Sequence, residues 1–239
     1  MSTVLDAVYE AVEIVESSKP AYGIDELYFR HARVEDAVQC APLIYSSGEQ
    51  EFSYFLGVPP SACIEFLESA FHSSTGRFSW RRHYVAADSS GVVLGILAAH
   101  DGRAIVWDDP HIARALVRFF GVRQAVRMLL RGLVLERELP KPTRNQTLMA
   151  HCATVAMARN RGVFSALFRH AIESGIFSLG TGRELVLDVL VSNCPAKTLY
   201  ERLGFTATLP KSKPSGQLPI VLRSTRMLLV AKERRSSDQ

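Results

Sequence analysis

The apolar positions of the 239-residue chain fall into alternating helical and extended rhythms. In residues 3–17, Val4, Leu5, Val8, Val12 and Val15 share one side and Asp6, Glu10, Glu13 and Glu16 the other, which predicts an amphipathic helix. Lys19-Pro20 and Tyr22-Gly23 end it. Glu26–Arg33 reads as a strand, and Val34-Glu35-Asp36 opens a helix to about Ser46. After SGEQEFSYFLGVPP comes a helix over Ser61–His72, with Ile64, Leu67, Ala70 and Phe71 on one stripe. Two strands follow, Ser79–Asp88 and Val92–Ala99, joined by the turn Ser89-Ser90-Gly91. His100-Asp101-Gly102 then reads as a turn with a surface histidine beside it, the alternative being a base or an acceptor contact.

Residues 109–138 form an unusual helical insert, broken at Gly121. Arg114 and Arg118, then Arg123, Arg127 and Arg131, recur every four residues, opposite Val122, Val126, Leu129, Leu130 and Leu133. The expectation is a helix that packs the apolar side and solvates the arginines. The alternative is a basic surface for CoA, an acidic partner, nucleic acid or a membrane face.

The densest patterning lies in residues 148–205. Leu148–Val155 reads as a strand that runs through a basic turn into a helix. That helix carries Val163, Phe164, Leu167, Phe168, Ala171 and Ile172 on one face and stops at Ser174-Gly175. Leu185–Val191, short and β-branched, predicts a buried strand. Asn193 and Pro195 open a second helix, with Ala196, Leu199, Tyr200 and Leu203 in line and a left-handed cap expected at Gly204. After a Pro/Ser/Lys-rich loop, Ile220–Ala231 reads as a last strand.

Composition narrows the class. Hydrophobic residues make up 47% of the chain, which implies a substantial core. Four cysteines, at 40, 63, 152 and 194, show no metal-ligand spacing, so no metal is expected. They suit a reducing compartment, and the acidic N-terminal stretch does not read as a secretory leader, so a cytoplasmic location is expected. No run of about 18 apolar residues marks a membrane span. The net charge of +4 decides little between partners.

Chemistry concentrates where Arg159, Asn160, Arg161 and Gly162 precede a helix. The first N–H groups of a helix lack internal partners, and with the dipole and two guanidinium groups they suit a phosphate. A glycine lets backbone approach the ligand closely. Alone, this is equally a solvated helix start. The order strand, Arg-x-x-Gly, helix, strand, Asn-x-x-Ala-x-x-Leu-Tyr-x-x-Leu-Gly-Phe resembles the GNAT superfamily of acyl-CoA-dependent N-acetyltransferases.

The resemblance covers about a quarter of the chain closely and implies a mixed, mostly antiparallel sheet of six to seven strands with helices on both faces, an α+β fold. It implies acetyl-CoA as co-substrate, with pantetheine paired to the end of the Leu148–Val155 strand at Val155 and Ala156. The pyrophosphate would lie on Arg159, Arg161, Gly162, Val163, Phe164 and Ser165. Asn193 would sit near the pantetheine, and Tyr200 near the thiol as the catalytic acid. One position departs: Phe164 stands where the family has a second small residue, which bears on cofactor affinity and suggests a catalytically degenerate acyl-CoA-binding regulator as the alternative.

The activity implied is direct acetyl transfer to an amine of a small molecule or protein, with nucleic acid not expected as a partner. The segment around Glu49, Glu51, Tyr54 and Phe55 would border the acceptor, or else pack aromatics beside solvated acids. Glu51, Asp101 and His151 are the candidate bases, and Cys152 the candidate for a covalent route, against its reading as a packing cysteine. Residues 1–24 read as a helical extension, leaving a homodimer open. Residues 25–232 read as one acetyltransferase domain and 233–239 as a tail.

Overall fold

A computed structural model describes residues 27–229, apart from 106, 107, 138, 178, 180, 181 and 209–218. The expected N-terminal helix and the C-terminal tail lie outside the described residues. Seven strands form one sheet: β1 (Tyr28–His31), β2 (His83–Ala87), β3 (Val93–Asp101), β4 (Gln146–Thr154), β5 (Glu184–Leu190), β6 (Phe205–Ala207) and β7 (Ser224–Leu229). Their order is β1-β2-β3-β4-β5-β7-β6, and every neighbouring pair is antiparallel except β4–β5. All five residues of β2 are buried, as a strand covered on both faces requires.

One face carries α1 (Ala37–Ser46), α2 (Glu49–Leu56), α3 (Pro60–Phe71), α4 (Asp108–Phe120) and α5 (Val122–Leu135). Its core includes Ile44, Leu56, Phe66, Phe71, Leu116 and Met128. The other face carries α6 (Val163–Glu173) and α7 (Cys194–Arg202), packed through Leu167, Phe168, Phe177, Tyr200 and Phe205.

Two features of β4 position the site. Its parallel pairing with β5 covers only Gln146–Leu148 against Glu184–Val186, and beyond them the β5-facing edge of β4 has no strand partner. Against β3, the register shifts between the pairs Ala98↔Ala150 and Ile96↔Ala153, so His151 and Cys152 together face Leu97 in a bulge. His151 takes φ 52 there, a left-handed conformation that costs a non-glycine residue roughly 1 kcal/mol or more.

Four expectations change. The last strand, expected from Ile220, begins at Ser224, because Ile220–Leu222 forms a 3-10 turn after Pro219. The strand expected from Ser79 begins at His83, because Ser79 instead caps a 3-10 turn over Trp80–Arg82 by accepting from the Arg81 N–H. The stretch between α1 and α3 contains α2, which the sequence did not announce: eight residues that start after Gly48 and end at Gly57 in a left-handed cap. The insert is helical and breaks at Gly121 as expected, but of its apolar stripe only Leu129 packs against the core. Ala125 and Met128 are buried, whereas Val122, Val126, Leu130 and Leu133 are 50–65% exposed.

Arg131 explains the rotation of α5. Its guanidinium turns inward and donates to the carbonyls of Phe55 and Leu56, the unsatisfied end of α2. A Cβ on Gly57 would sit 2.8 Å from Arg131 Cζ, so the glycine also makes room for this contact. Arg131→Leu leaves those carbonyls without their donor and is expected to cost about 1–2 kcal/mol. Differential scanning calorimetry should then show a transition midpoint roughly 2–8 °C lower. An unchanged midpoint would contradict the capping role.

Candidate functional site

The turn after β4 follows the logic of an anion site. Asn160 (φ 59) and Gly162 (φ 77) bend the chain into α6, and no side chain caps the helix. The N–H groups of Val163, Phe164 and Ser165 are therefore without partners inside the helix, the first helical bond being Ala166 N–H to Gly162 C=O. Arg159 is exposed and anchored by its Nε to the Thr154 carbonyl at 3.2 Å. Arg161 is half-buried, and Val163, Phe164 and Ser165 are buried.

Val155 has less to offer a ligand than its place suggests: its N–H bonds Leu94 C=O and its C=O accepts from Ala158 N–H. Ala156 follows it, exposed. Asn193 is the N-cap of α7, its side-chain oxygen accepting from Ala196 N–H at 3.3 Å.

Tyr200, on α7, is buried against Phe164 and Phe205 with ring centroids 6.2 and 6.1 Å away, both edge-on. Its hydroxyl lies beside the Cys152 thiol in the β4 bulge, and the thiol is 3.6 Å from the Ala150 carbonyl. Burial, then the sulfur, pushes the phenol well above its ordinary range, so it keeps its proton and stays a donor. Burial pushes the Cys152 thiol up to about 12, which removes the thiolate that a covalent route needs.

On the opposite side of β4 lies a cavity of about 430 Å³, walled by α2, α4, α5 and the strand. Glu51 and Phe55 line it, as do Phe52, Phe78 and His151, while Glu49 and Tyr54 do not. Phe52 and Phe78 escaped the sequence reading because a helix inside a connecting stretch, and a phenylalanine in a polar one, give no periodic signal.

His83 is fully buried and its Nδ1 lies 2.8 Å from the Ser79 carbonyl. A carbonyl only accepts, so Nδ1 carries the proton of the neutral ring and Nε2 is bare. His151 Nδ1, 2.9 Å from that Nε2, must then be the donor. The result is a His151 Nε2 without a proton, a base held in one tautomer by a second histidine.

His100 corrects the expectation of a surface histidine: it is 2% exposed, edge-on to His151, and neither ring nitrogen has a hydrogen-bond partner. Asp101 does form the expected turn, accepting from Arg103 N–H, but its carboxylate is paired with Arg183 at 2.9 Å. It lines a smaller cavity on the sheet and not the large one, which takes it out of the set of candidate bases.

Burial holds all three imidazoles below their usual range, His83 at about 4 and His100 and His151 well below 6.5. The unfolded chain takes up these protons near pH 6.5 and the folded chain refuses them until lower pH. Their stability is thus fully present above about pH 6.5 and lost as pH falls toward 4. The thermal midpoint should drop on acidification from pH 7.5 to 5. His100→Phe, which removes two unpaired buried nitrogens, should raise it at both pH values and more at pH 5. Equal shifts at the two pH values would contradict this account.

No protein-family model matches the chain, and no curated protein sequence matches it. Solved structures do. An N-acetyltransferase from Staphylococcus aureus Mu50 aligns over 85% of this chain and 100% of its own, at 20% identity and a TM-score of 0.63. A structure described as an acetyltransferase aligns over 86% and 100%, at 18% identity and 0.59. SsHAT aligns over 87% and 100%, at 16% identity and 0.54. The open seven-stranded sheet, parted between β4 and β5 and covered by helices on both faces, is the fold of the GNAT N-acetyltransferases.

Proposed function

We propose that this chain is an N-acetyltransferase that moves an acetyl group from acetyl-CoA to an amine. The observation that carries the reading is the convergence at the parting of β4 and β5: an uncapped helix start behind Gly162, a strand edge without a partner, and a protonated phenol at that strand.

The residues present fit the co-substrate. The free N–H groups of Val163, Phe164 and Ser165, with Arg159 and Arg161 beside them, would hold the pyrophosphate. The open edge of β4 past Leu148 would pair with the pantetheine amides, Ala156 following it, while the backbone of Val155 is already engaged. Asn193 caps α7 and thereby fixes the helix that carries Tyr200. Bound there, acetyl-CoA supplies an acyl group activated as a thioester.

The chain's own residues then have three tasks. An aliphatic amine is almost wholly ammonium at neutral pH, so a first proton must pass to solvent before it reacts; a second leaves the nitrogen as it bonds to carbon, and His151 Nε2, bare on the acceptor side of β4, would accept that one. The nitrogen lone pair forms the bond to the acyl carbon, and the carbon–sulfur bond breaks with its electron pair going to sulfur. Tyr200 O–H is the donor to that sulfur. The phenol is protonated at neutral pH and can donate, and a proton from solvent restores it afterwards.

Isothermal calorimetry tests the reading. The parent protein should bind acetyl-CoA, Gly162→Trp should abolish binding by obstructing the phosphate turn, and Tyr200→Phe should bind unchanged. Free-thiol release with an accepted amine should fall on the order of 10²-fold or more in Tyr200→Phe. A folded parent that binds no acetyl-CoA would overturn the transferase reading. Binding without turnover of any amine would leave the regulator.

A further inference from the structure

We infer that the cavity between α2, the α4–α5 pair and β4 receives a primary amine carried on a compact apolar body, with Glu51 holding the ammonium. The fate of the amine rests on the transferase reading; its binding does not.

The walls set the body. Phe52, Phe55, Phe78, Ile112, Leu129 and Met149 line most of the space, and about 430 Å³ is the size of a pocket for a small molecule. A ring or a branched chain would replace water against these side chains, and polar groups placed there would lose their hydration without return. The α4–α5 insert supplies Ile112, Leu129 and Leu133, which assigns the insert a role in acceptor choice.

The charges set the head. Four carboxylates line the cavity: Glu51, Asp109, Glu136 and Asp188. Three are matched within the chain. Lys141 pairs with Asp109 and with Glu136, Arg77 lies 3.5 Å from Asp109, and Arg226 grips Asp188 with two hydrogen bonds. Glu51 differs: its Oε2 is buried and has no hydrogen-bond partner. Burial accordingly raises the carboxyl above its ordinary range. An ammonium in the cavity would bring Glu51 the opposite charge that no ion pair among the described residues supplies, the carboxylate turning from the Gly48 side to meet it.

One free carboxylate also limits the head to one cation. A polyamine brings two or more ammonium groups into a cavity where the other acids are already held. A peptide lysine brings amide groups that the phenylalanine walls cannot satisfy. An amine with a single charge and an apolar remainder fits both constraints.

The test titrates the full-length protein, without acetyl-CoA, by calorimetry with 2-phenylethylamine, spermidine and an N-acetylated, C-amidated lysine tetrapeptide. 2-Phenylethylamine should bind at least tenfold more tightly than either of the others. Glu51→Gln should weaken it tenfold or more with an unchanged thermal midpoint. Ile112→Trp, which fills the cavity from the insert and leaves Glu51 in place, should abolish it and keeps the test decisive should the first variant fold poorly. Equal or tighter binding of spermidine or the peptide would overturn the inference, as would parent-like affinity in both variants or no binding of any amine. A parallel titration with acetyl-CoA separates the two readings. Acetyl-CoA binding without 2-phenylethylamine binding removes the acceptor assignment alone, and the reverse result removes the transferase reading alone.

Discussion

Three residue pairs hold β4 to β5, and then the strands part. Every other feature of the site depends on this short ladder. A strand edge inside a folded sheet exposes backbone donors and acceptors that must find partners elsewhere. Here the opening lies between two cores: α6 and α7 cover one face, and α1 to α5 the other. A longer ladder would close the slot between the turn at Gly162 and the cavity beside α2. The bulge at His151 and Cys152 adds to the effect, because it turns adjacent residues of one strand to different tasks. Cys152 meets Tyr200 of α7, and His151 meets the cavity.

The electrostatics follow from the same opening. Most charges near it are neutralised inside the chain, as with Asp101–Arg183, Asp188–Arg226 and Asp109–Lys141. The groups left without partners are therefore conspicuous. Three histidines are kept neutral by burial, two of them in a hydrogen-bonded line that ends in a bare nitrogen. Neutral imidazoles on one side of β4 and a protonated phenol on the other separate an accepting from a donating flank. That division of labour comes chiefly from burial.

Much of this was legible in the chain. The two motif segments gave their strands and helices to within two residues, because period-2 and period-3.6 patterns there coincide with clear stops at Gly162, Ser174 and Gly204. The buried state of Phe164 followed from the same helical face. What was not legible depended on tertiary contact. Nothing in SGEQEFSYFLG announces α2, whose end is satisfied by Arg131 from 75 residues away. The stripe of α5 misled for a related reason: Arg131 is bonded inward, and Val122, Val126, Leu130 and Leu133 turn outward with the helix. The histidine line joins residues 83 and 151, a pairing set by sheet register that no local spacing encodes.

Phe164 carries a consequence of its own. It is buried at the start of α6, and its ring fills the space against Tyr200. In this chain the turn before α6 and the phenol are thus joined by a shared side chain, not merely by the fold. A small residue in its place would open a void of the kind that costs a buried core several kcal/mol and leave the phenol free to tilt. Phe164 and Tyr200 thus form one packed unit, so a change at position 164 is felt on α7.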